Sequence, residues 1–188
     1  MRLKTRLAVL LGLLLVPICA SAAVIGGFYY YPQYDYTEFF AATDGRNFQV
    51  ILAGDPFPGI DPNTAARELL PVLQAAKPRP ALTFTYEAAP ERPRPWYRLV
   101  LIFNSAPDLG SAPVCNGVTR FGQPRPGTFY VYAVYCRNDQ PLSEATAWTS
   151  ATRPTDPSVN QLFRELFMVV FTDAPGYGRH IQGPRNRP

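Results

Sequence analysis

The stretch Thr128–Cys136, TFYVYAVYC, decides how the rest of the chain is read. Almost every position is aromatic or β-branched, a composition that suits a pleated surface and disfavours a helix. It predicts the strongest strand of the protein, and Cys136 closes it. Upstream, Trp96–Asn104 (WYRLVLIFN) predicts another strand, and Ala81–Glu87 (ALTFTYE) alternates with a period of two. In the latter, Leu82, Phe84 and Tyr86 face inward, while Thr83, Thr85 and Glu87 face out. The proline-rich segment Ala89–Pro95 between these two runs predicts a long-looped antiparallel hairpin.

Further upstream, Phe48–Gly54 (FQVILAG) has apolar residues on both faces, as a central strand does. Asp55–Gly59 reads as a turn, and Asp61-Pro62 as an N-cap followed by proline at the first helical position. Ala66, Leu69, Leu70 and Leu73 then form one helical stripe, with Pro71 predicting a kink or an early end. Downstream of the central run, residues 144–152 (EATAWTSAT) predict a fifth strand. Asp156-Pro157 opens a second helix, whose face is Val159, Leu162, Phe163, Leu166 and Val170. The element order β-α-β-β-β-β-α over residues 46–173 implies an α+β fold. It is a two-layer sandwich: a mainly antiparallel sheet of about five strands with two helices on one face.

The two ends read differently. Arg2, Lys4 and Arg6 precede an apolar run from Leu7 to Ile18, and small residues follow. That layout is a secretory signal over 1–22, with cleavage between Ala22 and Ala23. An uncleaved anchor over 7–28 is the alternative, long enough for a hydrocarbon core of about 30 Å and giving membrane contact through the N-terminal segment. Lipid attachment at Cys19 fits less well, because bulky Ile18 precedes it. Each version places the remaining chain outside the cytoplasm, periplasmic or extracellular, or anchored and facing outward. Residues 23–45 read as an aromatic-rich arm or linker, and residues 174–188 as a flexible basic tail carrying Arg179, His180, Arg185 and Arg187.

Charge argues against nucleic acid as a partner. Removing Arg2, Lys4 and Arg6 from the 18 basic residues leaves 15 against 14 acidic ones, a net of +1. A nucleic-acid surface requires clustered positive charge. Tyr130, Tyr132 and Arg98 are compatible with a base-stacking platform, but their place in apolar strands favours packing. The 21 prolines and 13 glycines fall mostly between apolar runs, as stiff loops do.

Chemistry is scarce. The single histidine is His180, in the tail, so no imidazole is available to a nucleophilic triad or a His-rich metal site. No GxxxxGK[ST] or GxGxxG occurs, and Gly54–Gly59 is flanked by Asp55 and Asp61, which repel an anion. Asp55, Asp61 and Glu87 are the carboxylates nearest to a glycosidase-like pair, yet their spacing brings no two together. No catalytic, cofactor-binding or metal-ligating residue and no cofactor is expected. Beyond the leader, two cysteines remain, and an even pair in an oxidising compartment predicts a disulfide between Cys115 and Cys136. Two buried thiols are the alternative; a redox pair is disfavoured, since no CxxC spacing occurs.

Together, FQVILAGDPF, YRLVLIFN and the cysteine paired with the one ending TFYVYAVYC resemble small exported bacterial proteins of unknown function, over roughly residues 46–172. The resemblance implies no activity. The expectation is therefore a non-enzymatic binding or structural module whose partner is another envelope component. The alternatives are a hydrolase using Asp, Glu or Tyr, and a carrier of an apolar ligand.

Overall fold

The computed structural model describes residues 22–89, 91 and 93–173. Residues 1–21, which hold most of the segment read as a secretory signal together with Cys19, and residues 174–188, read as a tail, lie outside them. The elements are β1 (Val24–Tyr30), α1 (Tyr36–Thr43), β2 (Asn47–Ala53), α2 (Pro62–Ala76), β3 (Thr83–Thr85) and β4 (Tyr97–Phe103). Then follow α3 (Ser111–Cys115), β5 (Thr128–Arg137), β6 (Gln140–Ser150) and α4 (Pro157–Val170). One open six-stranded sheet runs in the order β1-β6-β5-β4-β2-β3. Neighbours from β1 to β4 pair antiparallel, while β2 pairs parallel with both β4 and β3.

The α+β class is as the sequence implies, with more elements than the residue pattern predicts. The central run is β5, and both of its faces are buried. Phe129, Val131, Ala133 and Tyr135 enter the larger core under α1, α2 and α4. Tyr130, Tyr132, Val134 and Cys136 enter a smaller core on the opposite face, with Val114 and Cys115 of α3. The expected pair of helices on one face is thus three, and a fourth short helix covers part of the other.

The antiparallel hairpin between residues 81–87 and 96–104 does not form. β3 and β4 lie on either side of β2, and each runs parallel to it. Alternation sets which side chains face inward but not which neighbour a strand takes. Of the expected inward set, Leu82 and Phe84 are buried and Tyr86 is half-buried against the core. Pro71 neither kinks α2 into two pieces nor ends it. Pro71 and Arg67, whose carbonyl loses its i+4 donor, are both exposed, so water can serve that oxygen. The fifth predicted strand begins earlier than 144, because Asn138 adopts a positive φ of 54° in a two-residue turn between Arg137 and Gln140.

Residues 23–45, read as an arm or linker, supply an edge strand and a helix. β1 lies against β6, and where Gly26 passes Thr146 a Cβ would sit 2.3 Å from the threonine hydroxyl. Only glycine fits there. Residues 24–28, which the anchor reading takes into the bilayer, belong to β1. Among the described residues no helix is long and apolar enough to cross a membrane. Asp35 caps α1 by accepting from the Thr37 and Glu38 amides, and this delivers Phe39 into the core.

Candidate functional site

Two concave regions stand out, one on each side of the sheet. The first is a cleft of about 860 Å³ on the smaller-core side. Its floor is Ile51, Val100 and Val114; one wall is Pro93–Trp96, and the other is the end of α3 with Asn116, Gly117 and Thr119. The walls are held by bonds that span the chain. Arg98, 3% exposed, donates to the carbonyls of Asn138 and Cys115. Its guanidinium lies 3.6 Å from the Trp96 ring centroid, and the indole N–H donates to Gln49 Oε1 at 3.0 Å. The Trp96 and Asn138 backbones are joined both ways, through the Asn138 amide and the Asn138 side-chain oxygen.

The disulfide completes this frame. Cys115 at the end of α3 is bonded to Cys136 of β5, with Cα atoms 5.7 Å apart, as the cysteine count predicts. It fastens the loop that crosses the smaller core to the middle of the sheet. The opening of the cleft is polar, with Arg94, Asn116, Asn138 and Asp139 all exposed.

The second region is a recess of about 560 Å³ over α1, lined by Asp35, Glu38, Asp173, Arg137, Tyr34 and Tyr36 among others. At its edge Arg137 Nη1 donates to both Glu38 oxygens at 2.9 Å, and Tyr97 donates a very short bond to the same carboxylate. Burial, and then that bond to Glu38, push the Tyr97 phenol up to about 12, so it stays a neutral donor. Glu38 in turn raises the Arg137 guanidinium, which stays charged. Tyr34 donates to the Thr172 carbonyl at 2.7 Å.

Beside this group lies Tyr135, fully buried, its hydroxyl without a hydrogen-bond partner among the described residues. Its ring lies 6.4 Å from Tyr34 and 6.2 Å from Tyr97, centroid to centroid. Burial pushes its ionisation far up, so the hydroxyl is neutral throughout. Deleting an unpaired buried hydroxyl while keeping the ring removes a desolvation penalty of about 1–3 kcal/mol. Tyr135→Phe is therefore expected to stabilise the fold by about 1 kcal/mol, read as a higher urea midpoint at unchanged slope. A lower midpoint would show that the hydroxyl has a partner.

Two of the three carboxylates considered from sequence have local structural roles. Asp55 accepts from the Phe57 amide at 3.0 Å, and Asp61 caps α2 through the Thr64 amide at 2.9 Å; Glu87 is exposed. Tyr130, Tyr132 and Arg98 are buried. Ala22 is exposed, whereas Ala23 packs partly against the core, so the cleavage site proposed from sequence abuts the first strand. His180 lies outside the described residues. Among those described, no group of three or more His, Cys, Asp or Glu side chains could hold a metal ion. The Glu38–Tyr97–Arg137 group is not legible in the sequence. Tyr97 and Arg137 lie 59 and 99 residues from Glu38, and no local pattern joins them.

No family model matches the chain, and no curated protein matches it. Among solved structures, the chain is similar to a dodecamer of a PelC point variant from Paraburkholderia phytofirmans, at 12% identity. That match covers 79% of this chain and 96% of the other, with a TM-score of 0.38.

Proposed function

We propose that the protein is a non-enzymatic binding module working outside the cytoplasm, with the Trp96–Arg98 cleft as its contact surface. One observation carries this reading: the cleft is concave and its walls are fixed by a disulfide and by the buried Arg98. Preformed walls lower the ordering cost of association. An apolar floor with a polar rim is the usual anatomy of a recognition surface, and about 860 Å³ lies within the size range of small-ligand sites. The disulfide supports an oxidising compartment, as the leader does.

The test is site-specific photo-crosslinking in the native envelope. A photoreactive side chain is placed at Thr119 or Asn116 on the rim, and at Gln161 on the exposed face of α4 as the reference. The rim positions are expected to give one discrete adduct that position 161 does not. Identical adducts from all three positions, or none from the rim, would refute the cleft. A reporter fused after residue 40 tests export separately, and retention in the cytosol would refute that part.

A further inference from the structure

We propose that Asn116 is a deamidation site that the docked α3 holds shut, so that its conversion to aspartate or isoaspartate marks molecules in which this wall of the cleft has opened. Asn116-Gly117 is the single Asn-Gly pair in the chain. With no Cβ on Gly117, its amide nitrogen can approach the Asn116 side-chain carbon unobstructed. A bond from the Gly117 nitrogen to Asn116 Cγ forms as the Cγ–Nδ2 bond breaks. The displaced nitrogen takes up the Gly117 amide proton and leaves as ammonia. Water then opens the cyclic imide at either carbonyl, giving aspartate or isoaspartate. Asn116 is exposed, so water reaches the ring.

The folded state opposes the first step. Gly117, at φ 84°, is the left-handed residue that ends α3; its amide donates to the Val114 carbonyl at 3.0 Å, and the Val118 amide donates to Pro113 at 3.0 Å. This pair of bonds is a common helix stop, and here it occupies the attacking nitrogen. The leaving group is held as well, because Asn116 Nδ2 donates to the Ala112 carbonyl at 2.9 Å and to the Asp139 carbonyl at 3.4 Å. Ring closure also requires the Gly117 nitrogen to eclipse the Asn116 Cβ, at a ψ of about −120°, outside the sterically allowed regions. Asn116 sits at φ −93° and ψ 11°. These constraints last only while α3 stays docked. The residue just before Asn116 is what docks it: Cys115 is bonded to Cys136, and its carbonyl accepts from Arg98.

Loss of ammonia makes the conversion one-way, and it changes what residue 116 can do. A carboxylate there presents acceptors, not a donor, to the Ala112 and Asp139 carbonyls. The tie between the end of α3 and the turn joining β5 to β6 is lost, and a new negative charge stands on the rim that Asp139 also lines. This inference is independent of the role proposed for the cleft.

The test follows the full chain at mildly alkaline pH, with peptide mass spectrometry to separate Asn116 from aspartate and isoaspartate. Conversion in buffer is expected to be roughly ten-fold or more slower than in concentrated urea, since it must wait for local opening. Cys115→Ala with Cys136→Ala frees the wall and should convert roughly three-fold or more faster than the native chain in buffer. Phe39→Ala, which weakens the opposite core and leaves α3 tethered, should stay within about two-fold of the native rate. Asn116→Asp should speed amide exchange over residues 111–119 roughly five-fold, the effect of one lost hydrogen bond. The proposal is overturned by equal conversion in buffer and urea, by equal acceleration in Phe39→Ala and the cysteine variant, or by unchanged exchange in Asn116→Asp.

Discussion

Phe39→Ala is expected to destabilise the protein by about 4 kcal/mol, the usual loss for a large aromatic removed from a packed core. The melting temperature should fall by roughly 8–16 °C at this chain length. The reason lies in what the ring touches. Phe39 is fully buried and stacks on Phe171 with centroids 4.4 Å apart. It also meets Phe48 at 5.9 Å and Tyr135 at 5.5 Å edge to face. Alanine leaves a void among four elements that cannot all move inward together. The outcome matters because Phe39 lies in the segment that sequence alone reads as an arm. A peripheral arm would lose well under 1 kcal/mol, as surface substitutions do. Calorimetry of the variant decides between the two, and a small loss would place α1 outside the cooperative unit.

Replacing both cysteines, Cys115→Ala with Cys136→Ala, is expected to cost about 3 kcal/mol on the chain-entropy estimate. The bridge closes a loop of sequence separation 21. The melting temperature should drop by roughly 6–12 °C. A local effect should accompany the global one. Arg98 still donates to the Cys115 carbonyl, so α3 keeps one tether, but the wall of the cleft loses its covalent one. Amide exchange over residues 111–119 should therefore accelerate beyond the global change. Uniform acceleration, or a loss below 1 kcal/mol, would mean that the bridge does not stiffen that wall.

Sequence is most informative where side-chain period and packing agree. The run 128–136 is buried on both faces, and the two Asp-Pro pairs mark the starts of α2 and α4. It is least informative about partners distant in the chain. The parallel pairing of β2 with β3 and β4 depends on α2 crossing between β2 and β3, which alternation does not encode. The aromatic density of residues 28–40 obscures the helix in it. Asp35 accepting the Thr37 and Glu38 amides is a readable cap signal, overshadowed by the tyrosines around it. The cleft is invisible for another reason. Its walls come from a loop, a strand start and a hairpin turn that meet through the carbonyls accepting from Arg98, the paired Trp96–Asn138 bonds and the disulfide, all between residues distant in the chain.

The pairing of β1 with β6 also fixes when folding can finish. Gly27 and Thr146, bonded across that seam, are 119 residues apart, and the Tyr30 hydroxyl reaches Val169, 139 residues away. β1 must wait for β6 to pair with it and for α4 to accept the Tyr30 hydroxyl before it finds its place. Late closure of this kind slows folding, since the loop entropy is lost before the contacts return it. A nascent chain halted before residue 140 should still be digested by protease at 24–30, and protection should arrive only once α4 is complete.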